Sequence, residues 1–171
     1  SDEEAQELAK GINETNTQRK DLDLLTTTEA ETILKENLLL NSKKTTVLFN
    51  SNWHKGVVGI VASRLIEKYY RPTIVLTEND GKVTGSARSV KDYDVYNAIE
   101  QCSDLLEQFG GHKFAAGLTL KRENVELFIE RFEKTVSSTI TDEQLIPKIE
   151  IDSELDFYEI TNKFVRILMQ F

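Results

Sequence analysis

The sequence predicts an α/β fold: a mixed β-sheet flanked by helices, preceded by a helical segment and followed by the start of a further module. Three observations predict it. Short β-branched strands alternate with amphipathic helices between Thr45 and Thr139, which is the pattern of a layered α/β domain. Asn79-Asp80-Gly81 between two strand-like runs is a hairpin signal, so the sheet is mixed and not purely parallel. Val125, Phe128, Ile129, Phe132 and Val136 repeat at helical spacing and give one helix a clear buried side.

The elements follow in order. Residues 2–40 read as polar helix, with Ala5, Leu8, Ala9 and Ile12 as one stripe. Thr26, Thr27 or Thr28 is placed to cap a second helix whose buried face would be Ile33, Leu34, Leu38 and Leu39. A segment this polar suits a connector between domains. Thr45 to Phe49 is β-branched and aromatic, hence a strand. A helix from about Gly56 to Tyr70 places Val57, Ile60, Val61, Leu65 and Tyr69 on one face, and Arg71-Pro72 stops it. Thr73 to Leu76 is a buried strand, and Lys82 to Ala87 returns from the hairpin. Asp94 to Gln108 reads as helix through Val95, Ile99, Cys102, Leu105 and Leu106, and a Gly110-Gly111-His112 turn follows. Ala116 to Leu120 is a short strand and Glu123 to Ser138 the amphipathic helix. Pro147 to Leu155 alternates like a strand opening the next module. The predicted order is β-α-β-β-α-β-α.

Composition bounds the function. The 171 residues suffice for one good-sized domain plus something smaller. No apolar run approaches bilayer length and no signal-peptide pattern occurs. The single cysteine, Cys102, forms no internal disulfide and fits a reducing cytoplasm. The net charge of −8 means that any nucleic-acid contact comes from a local patch and not from the overall field. Basic residues Lys55, Arg64, Lys68, Arg71, Arg88 and Lys113 lie near the glycine motifs. The chain begins at Ser1 and its only methionine is Met169, so it reads as a piece of a longer protein. The helical spacing of Ile160, Phe164, Val165, Ile167, Leu168 and Phe171 implies partner structure beyond.

Three glycine-marked segments carry the candidate chemistry. Phe109 to Gly117 contains Gly110, Gly111 and His112. Paired glycines bring backbone amides close to an anion without a Cβ in the way, and His112 adds a side-chain donor; the other reading is a tight turn entering a buried strand. In Asn52 to Gly59, His54 and Lys55 precede a helix N-terminus, a natural anion site; the other reading is that Trp53 plugs the core and His54 caps the helix. In Gly85-Ser86-Ala87-Arg88-Ser89, Arg88 is suited to fork around phosphate oxygens with Ser89 beside it; the other reading is an ion pair with Asp92 or Asp94. Two histidines and one cysteine make no ordinary zinc site. No two-metal spacing, Walker loop, dinucleotide fingerprint or nucleophile elbow is present. The residues thus describe a binder of something phosphorylated, with no catalytic residue or metal site of its own.

Trp53-His54-Lys55-Gly56-Val57-Val58-Gly59, Arg71-Pro72-Thr73-Ile74-Val75-Leu76, Gly85-Ser86-Ala87-Arg88-Ser89 and Phe109-Gly110-Gly111-His112-Lys113-Phe114-Ala115-Ala116-Gly117-Leu118, in that order, resemble the DHH-associated domain of the RecJ single-strand DNA exonucleases. The resemblance covers about residues 45–139. It implies residues 1–44 as a helical interdomain connector, 45–140 as the DHH-associated α/β domain, and 141–171 as the truncated start of an oligonucleotide-binding-fold region. It implies 5′-to-3′ digestion of single-stranded DNA in repair and recombination. An upstream DHH domain, absent here, would carry the ligands for Mn2+ or Mg2+, and this piece alone would be inactive. By motif position, Arg88 and Ser89 would grip backbone phosphates, Gly110, Gly111 and His112 would receive the scissile or terminal phosphate, and His54 would line the same cleft. The alternatives are a DHH-family oligonucleotide or cyclic-dinucleotide phosphodiesterase fragment, or a non-catalytic RNA- or DNA-binding module.

Overall fold

The computed structural model describes residues 2–170. One long helix, α1 (Asp2–Glu36), and a single turn, α2 (Leu38–Asn41), lead into β1 (Thr46–Phe49). Then come α3 (Val58–Tyr69), β2 (Thr73–Asn79), β3 (Lys82–Arg88), α4 (Val95–Glu100), β4 (Leu106–His112), β5 (Ala115–Leu120) and α5 (Val125–Thr139). A last short helix, α6, spans Asn162–Leu168. The five strands form one sheet in the order β1-β2-β3-β5-β4, with β1 and β2 parallel and every other pair antiparallel. The fold class is the predicted one, a mixed sheet with helices on both faces.

Period-two alternation divides each central strand between two cores. Ile74, Leu76, Val83, Ala87, Ala116, Leu118 and Leu120 face α4 and α5, where Phe128 and Phe132 stack at 5.9 Å. Leu48 and Val75 face Val57, Val58, Val61, Ala62 and Leu65 of the β1–α3 loop and α3, with Ala30 and Leu34 of α1 behind them. The hairpin between β2 and β3 is set as predicted: Asp80 (φ 54°) and Gly81 (φ 76°) both take positive φ, as the tight two-residue turn requires. Tyr70 ends α3 in the left-handed conformation, with its amide on the Ile66 carbonyl, and Arg71 turns inward to donate to the Thr46 hydroxyl at 2.7 Å.

Several expectations are corrected. Residues 2–36 form one continuous helix, and Thr26, Thr27 and Thr28 cap nothing. Thr28 and Thr32 donate to the Leu24 and Thr28 carbonyls one turn back, a pattern compatible with a helix interior. Asp23, Thr26, Ala30 and Leu34 form the buried side, while Leu38 and Leu39 are exposed. The N-terminal stripe of Leu8 and Ile12 is exposed as well.

The helix expected to reach Gln108 stops at Glu100, a short 3-10 turn spans Ser103–Leu105, and residues 106–112 form β4, an edge strand absent from the prediction. Gly110-Gly111-His112 is consequently the end of a strand and not a turn; the turn is Lys113-Phe114. Finally, Pro147 to Leu155 alternates but pairs with no strand, and Ile149 and Ile151 stand exposed. Alternation creates a strand only where another strand offers its edge. The terminal apolar spacing is realised as α6, capped by Thr161; Phe171 lies outside the described residues.

Candidate nucleic-acid interface

Register brings the second and third glycine segments together. Arg88 pairs with Ala115, and Ala115 pairs with His112 on its other side. Residues directly opposite in a sheet project to the same face, so Arg88, Ala115 and His112 make one row across three strands, spanning about 10 Å. The next row is Ser86, Gly117 and Gly110, and the third is Thr84, Thr119 and Gln108. The helix α3 covers this face only as far as β3. Beyond it, Gly117, Gly110, Gln108 and His112 are exposed.

The middle row is nearly bare backbone. A Cβ on Gly110 would meet nothing within 4 Å, and one on Gly117 only the Gly85 carbonyl at 3.9 Å. Thr84, Gln108, Gly110, Gly117 and Thr119 line an open groove of about 410 Å³ there. Gly111 behaves differently: its φ is 151°, and a Cβ would sit 2.5 Å from the Ala116 Cα and closer still to the Ala115 carbonyl. It is required for the close pairing of β4 with β5.

Arg88 stands in the row next to the groove's Gly117 and Gly110. Its Nε donates to the Ser63 hydroxyl at 3.1 Å and its Nη1 to the Ala87 carbonyl at 2.8 Å. Among the described residues it has no carboxylate partner: Asp94 instead caps α4 through the Asn97 amide. The α3 N-terminus lies beside it, because Gly59 allows close approach: a Cβ there would stand 3.1 Å from Arg88 Nη2 and 3.3 Å from the Ser86 hydroxyl. No side chain caps that helix start, so its partial positive charge adds to the guanidinium. The remaining basic residues near the glycine motifs sort themselves. Arg64 is bidentate on buried Asp23, Lys68 pairs with Glu31, and Arg71 is buried. Lys55, Arg88 and Lys113 carry no ion pair among the described residues. Arg88 is the one of these three in strand register with the groove's glycines, one same-face row away from Gly117 and Gly110.

His112 is exposed, and its Nδ1 accepts the Phe114 amide at 3.3 Å. Ser89 donates its hydroxyl to the Tyr93 carbonyl at 2.7 Å and its amide to the Phe114 carbonyl at 3.0 Å, so it fastens the β4–β5 turn next to Arg88. His54 is exposed in the loop before α3, where its Nδ1 accepts the Gly56 amide at 3.1 Å; no hydrogen bond joins it to Arg88 or His112. Trp53 does plug the core, donating its indole N–H to Glu29 at 2.8 Å. Among the described residues no group of three His, Cys, Asp or Glu side chains converges to hold a metal ion.

Residues 42–138 match the DHHA1 domain. The chain belongs to the DHHA1 domain family. It is 38% identical over 160 residues to the single-stranded-DNA-specific exonuclease RecJ of Bacillus subtilis (strain 168), covering 92% of this chain and 20% of that protein. A crystal structure of exonuclease RecJ bound to manganese superposes with a TM-score of 0.69 at 31% identity, over 81% of this chain and 34% of that one. RecJ from Thermus thermophilus in complex with Mg2+ gives a TM-score of 0.61 at 30% identity, over 73% and 19%. The chain thus spans about a fifth of the length of the B. subtilis relative, 20%. No helix among the described residues is long and apolar enough to cross a membrane.

The structure of this DHHA1 domain adds residues that the motifs alone did not single out. Gly59 and Ser63 of α3 position the Arg88 guanidinium, Gly117 and Gln108 line the groove, and Ser86 stands in register with Gly117. A partial signal was present: period-two alternation in Thr84-Gly85-Ser86-Ala87-Arg88 puts its three polar residues on one face. Nothing local in the sequence places Gly117 opposite Gly110, because that pairing depends on β4.

Proposed function

We propose that this chain is the nucleic-acid-binding part of a RecJ-type 5′-to-3′ single-stranded-DNA exonuclease, binding backbone phosphates opposite a metal-bearing DHH domain that lies upstream in the intact protein. One observation carries the reading: the Arg88 guanidinium, without a carboxylate partner among the described residues, stands in register with His112 at the edge of a groove floored by Gly117 and Gly110. A bare floor admits a backbone closely, and a guanidinium beside an uncapped helix N-terminus receives its charge. Gly111 holds the floor in shape and Ser89 fixes the turn that carries His112; in this reading His54 would line the same cleft.

RecJ structures contain Mg2+ or Mn2+, but among the described residues no donor set fits a metal. The metal would be held in the upstream domain, and the described residues would bind and orient the strand. In this reading residues 1–44 connect the two domains, 45–140 form the binding domain, and 141–171 begin an oligonucleotide-binding-fold region. The protein would work in the cytoplasm.

The test is a titration of the chain, and of the intact protein that carries it, with single-stranded DNA, matched duplex DNA and single-stranded RNA at two salt concentrations. Preference for single-stranded DNA is expected. Arg88→Ala should weaken it about tenfold to a hundredfold and reduce the salt slope by roughly 0.7, with little change in melting temperature. Equal loss of binding and of thermal stability would show that Arg88 is structural, and the reading would fail.

A further inference from the structure

Phe114 is the one aromatic side chain at the tip of the β4–β5 turn, and no role in the phosphate site accounts for it. The residue is 51% exposed. An aromatic ring held in water at such a position loses the gain that burial would supply. The turn that displays it is nevertheless fixed from three sides. The Phe114 carbonyl accepts the Ser89 amide at 3.0 Å, the Lys113 carbonyl accepts the Val95 amide at 3.1 Å, and the Phe114 amide donates to His112 Nδ1 at 3.3 Å. The first and third partners are themselves residues of the phosphate-binding edge. The ring lies edge-on to His112, with centroids 6.3 Å apart, and the Lys113 ammonium sits 5.5 Å above it.

We propose that Phe114 is a base-stacking residue: it takes the face of a nucleobase of the same single strand whose phosphates meet Arg88 and His112. This rests on the proposed phosphate site. Stacking of a base on an exposed aromatic beside a cationic groove is sequence-tolerant, because every base has a π-face. It also selects for single strands, since a base within a duplex is already stacked on its neighbours and offers no free face. Lys113 contributes its charge to the strand from its place beside the ring. The rigid turn means that little ordering entropy is lost when the base arrives.

The experiment compares the intact protein with its Phe114→Ala and Phe114→Tyr variants, in EDTA to hold off metal-dependent cleavage. Each is titrated with a short oligodeoxythymidylate and with the same strand carrying abasic sugars in its central positions. The wild type should prefer the base-bearing strand. Phe114→Ala should bind that strand about 5- to 100-fold more weakly, lose the preference over the abasic strand, and keep its salt slope, because phosphate contacts are untouched. Phe114→Tyr should restore the preference. Unchanged melting temperatures confirm that the variants are folded. If Phe114→Ala keeps the wild-type affinity and preference while Arg88→Ala loses binding, stacking is overturned and the phosphate site stands. If the wild type shows no salt-dependent binding to either strand, the phosphate reading falls, and the stacking proposal with it.

Discussion

Gly110 and Gly111 are neighbours in β4 with opposite requirements. Gly110 has open space where a side chain would go, and Gly111 has the Ala115 carbonyl and the Ala116 backbone there, at a φ that other residues rarely adopt. Gly110→Ala should therefore leave thermal stability within about 1 kcal/mol and weaken single-strand binding by raising the groove floor. Gly111→Ala should cost roughly 2–4 kcal/mol of stability, from clash and backbone strain together. Thermal melts and titrations of the two variants check the pair. A Gly110→Ala protein that binds normally would remove the groove from the proposed path. The motif Gly110-Gly111-His112 was legible as a unit. That its first glycine serves the surface and its second the sheet was not, because the distinction depends on which side of each residue β5 lies.

At the scale of elements, α1 shows how one helix serves two environments. Its C-terminal half is fastened to α3 and the loop before it by the bidentate Asp23–Arg64 pair, by Glu31–Lys68 at 2.6 Å and by the Glu29–Trp53 hydrogen bond, with Ala30 and Leu34 fully buried. Residues 4–15 and 17–22 are exposed. The contacts between α1 and α3 cross residue 44, so the helix reads as connector at one end and as part of the α/β core at the other. Leu34→Ala should cost about 2–5 kcal/mol by emptying a packed site. Hydrogen exchange should show fast exchange over residues 2–22 and slow exchange over 26–34 in the wild type, with protection of 26–34 reduced in the variant. The expected buried face of Ile33, Leu34, Leu38 and Leu39 held only in part, because exposed Leu24, Leu25, Leu38 and Leu39 carry as much hydrophobicity as the side that is buried. Only the presence of α3 chooses between them.

For the whole molecule, residues 44–45, which lead into the edge strand β1, are tied to α5 through Glu133. Burial pushes its carboxyl up, but hydrogen bonds from the Thr45 and Ser137 hydroxyls and from the Lys44 and Thr45 amides outweigh this and hold it below the ordinary glutamate range. A carboxyl with a depressed folded-state pKa contributes stability that is fully present above its unfolded value, about 4.3, and is lost as pH falls through the folded value. Glu133→Gln should thus destabilise the protein by roughly 1–3 kcal/mol at pH 7 and by less at pH 3. Melting curves across that range should show a shallower acid limb in the variant than in the wild type; parallel limbs would place the acid sensitivity elsewhere.

Features that are local or carried by motif could be read from the chain without its fold: the α/β class, β1, β2, β3 and β5, the Asp80-Gly81 hairpin, helices α3 and α5, and the family to which the glycine segments belong. These rest on side-chain periodicity and turn chemistry, which neighbouring residues settle among themselves. Three outcomes belong to the folded molecule. Residues 106–112 pair as an edge strand, although Ile99, Cys102, Leu105 and Leu106 keep helical spacing. Pro147 to Leu155, despite its alternation, pairs with nothing. The third is which cations are available: Arg64 and Lys68 are neutralised by carboxylates of α1, and Arg71 is buried, leaving Arg88 open beside His112. The reason is the same in each case. Strand pairing and charge pairing join residues far apart in the chain, so their outcome depends on what the fold brings opposite each residue.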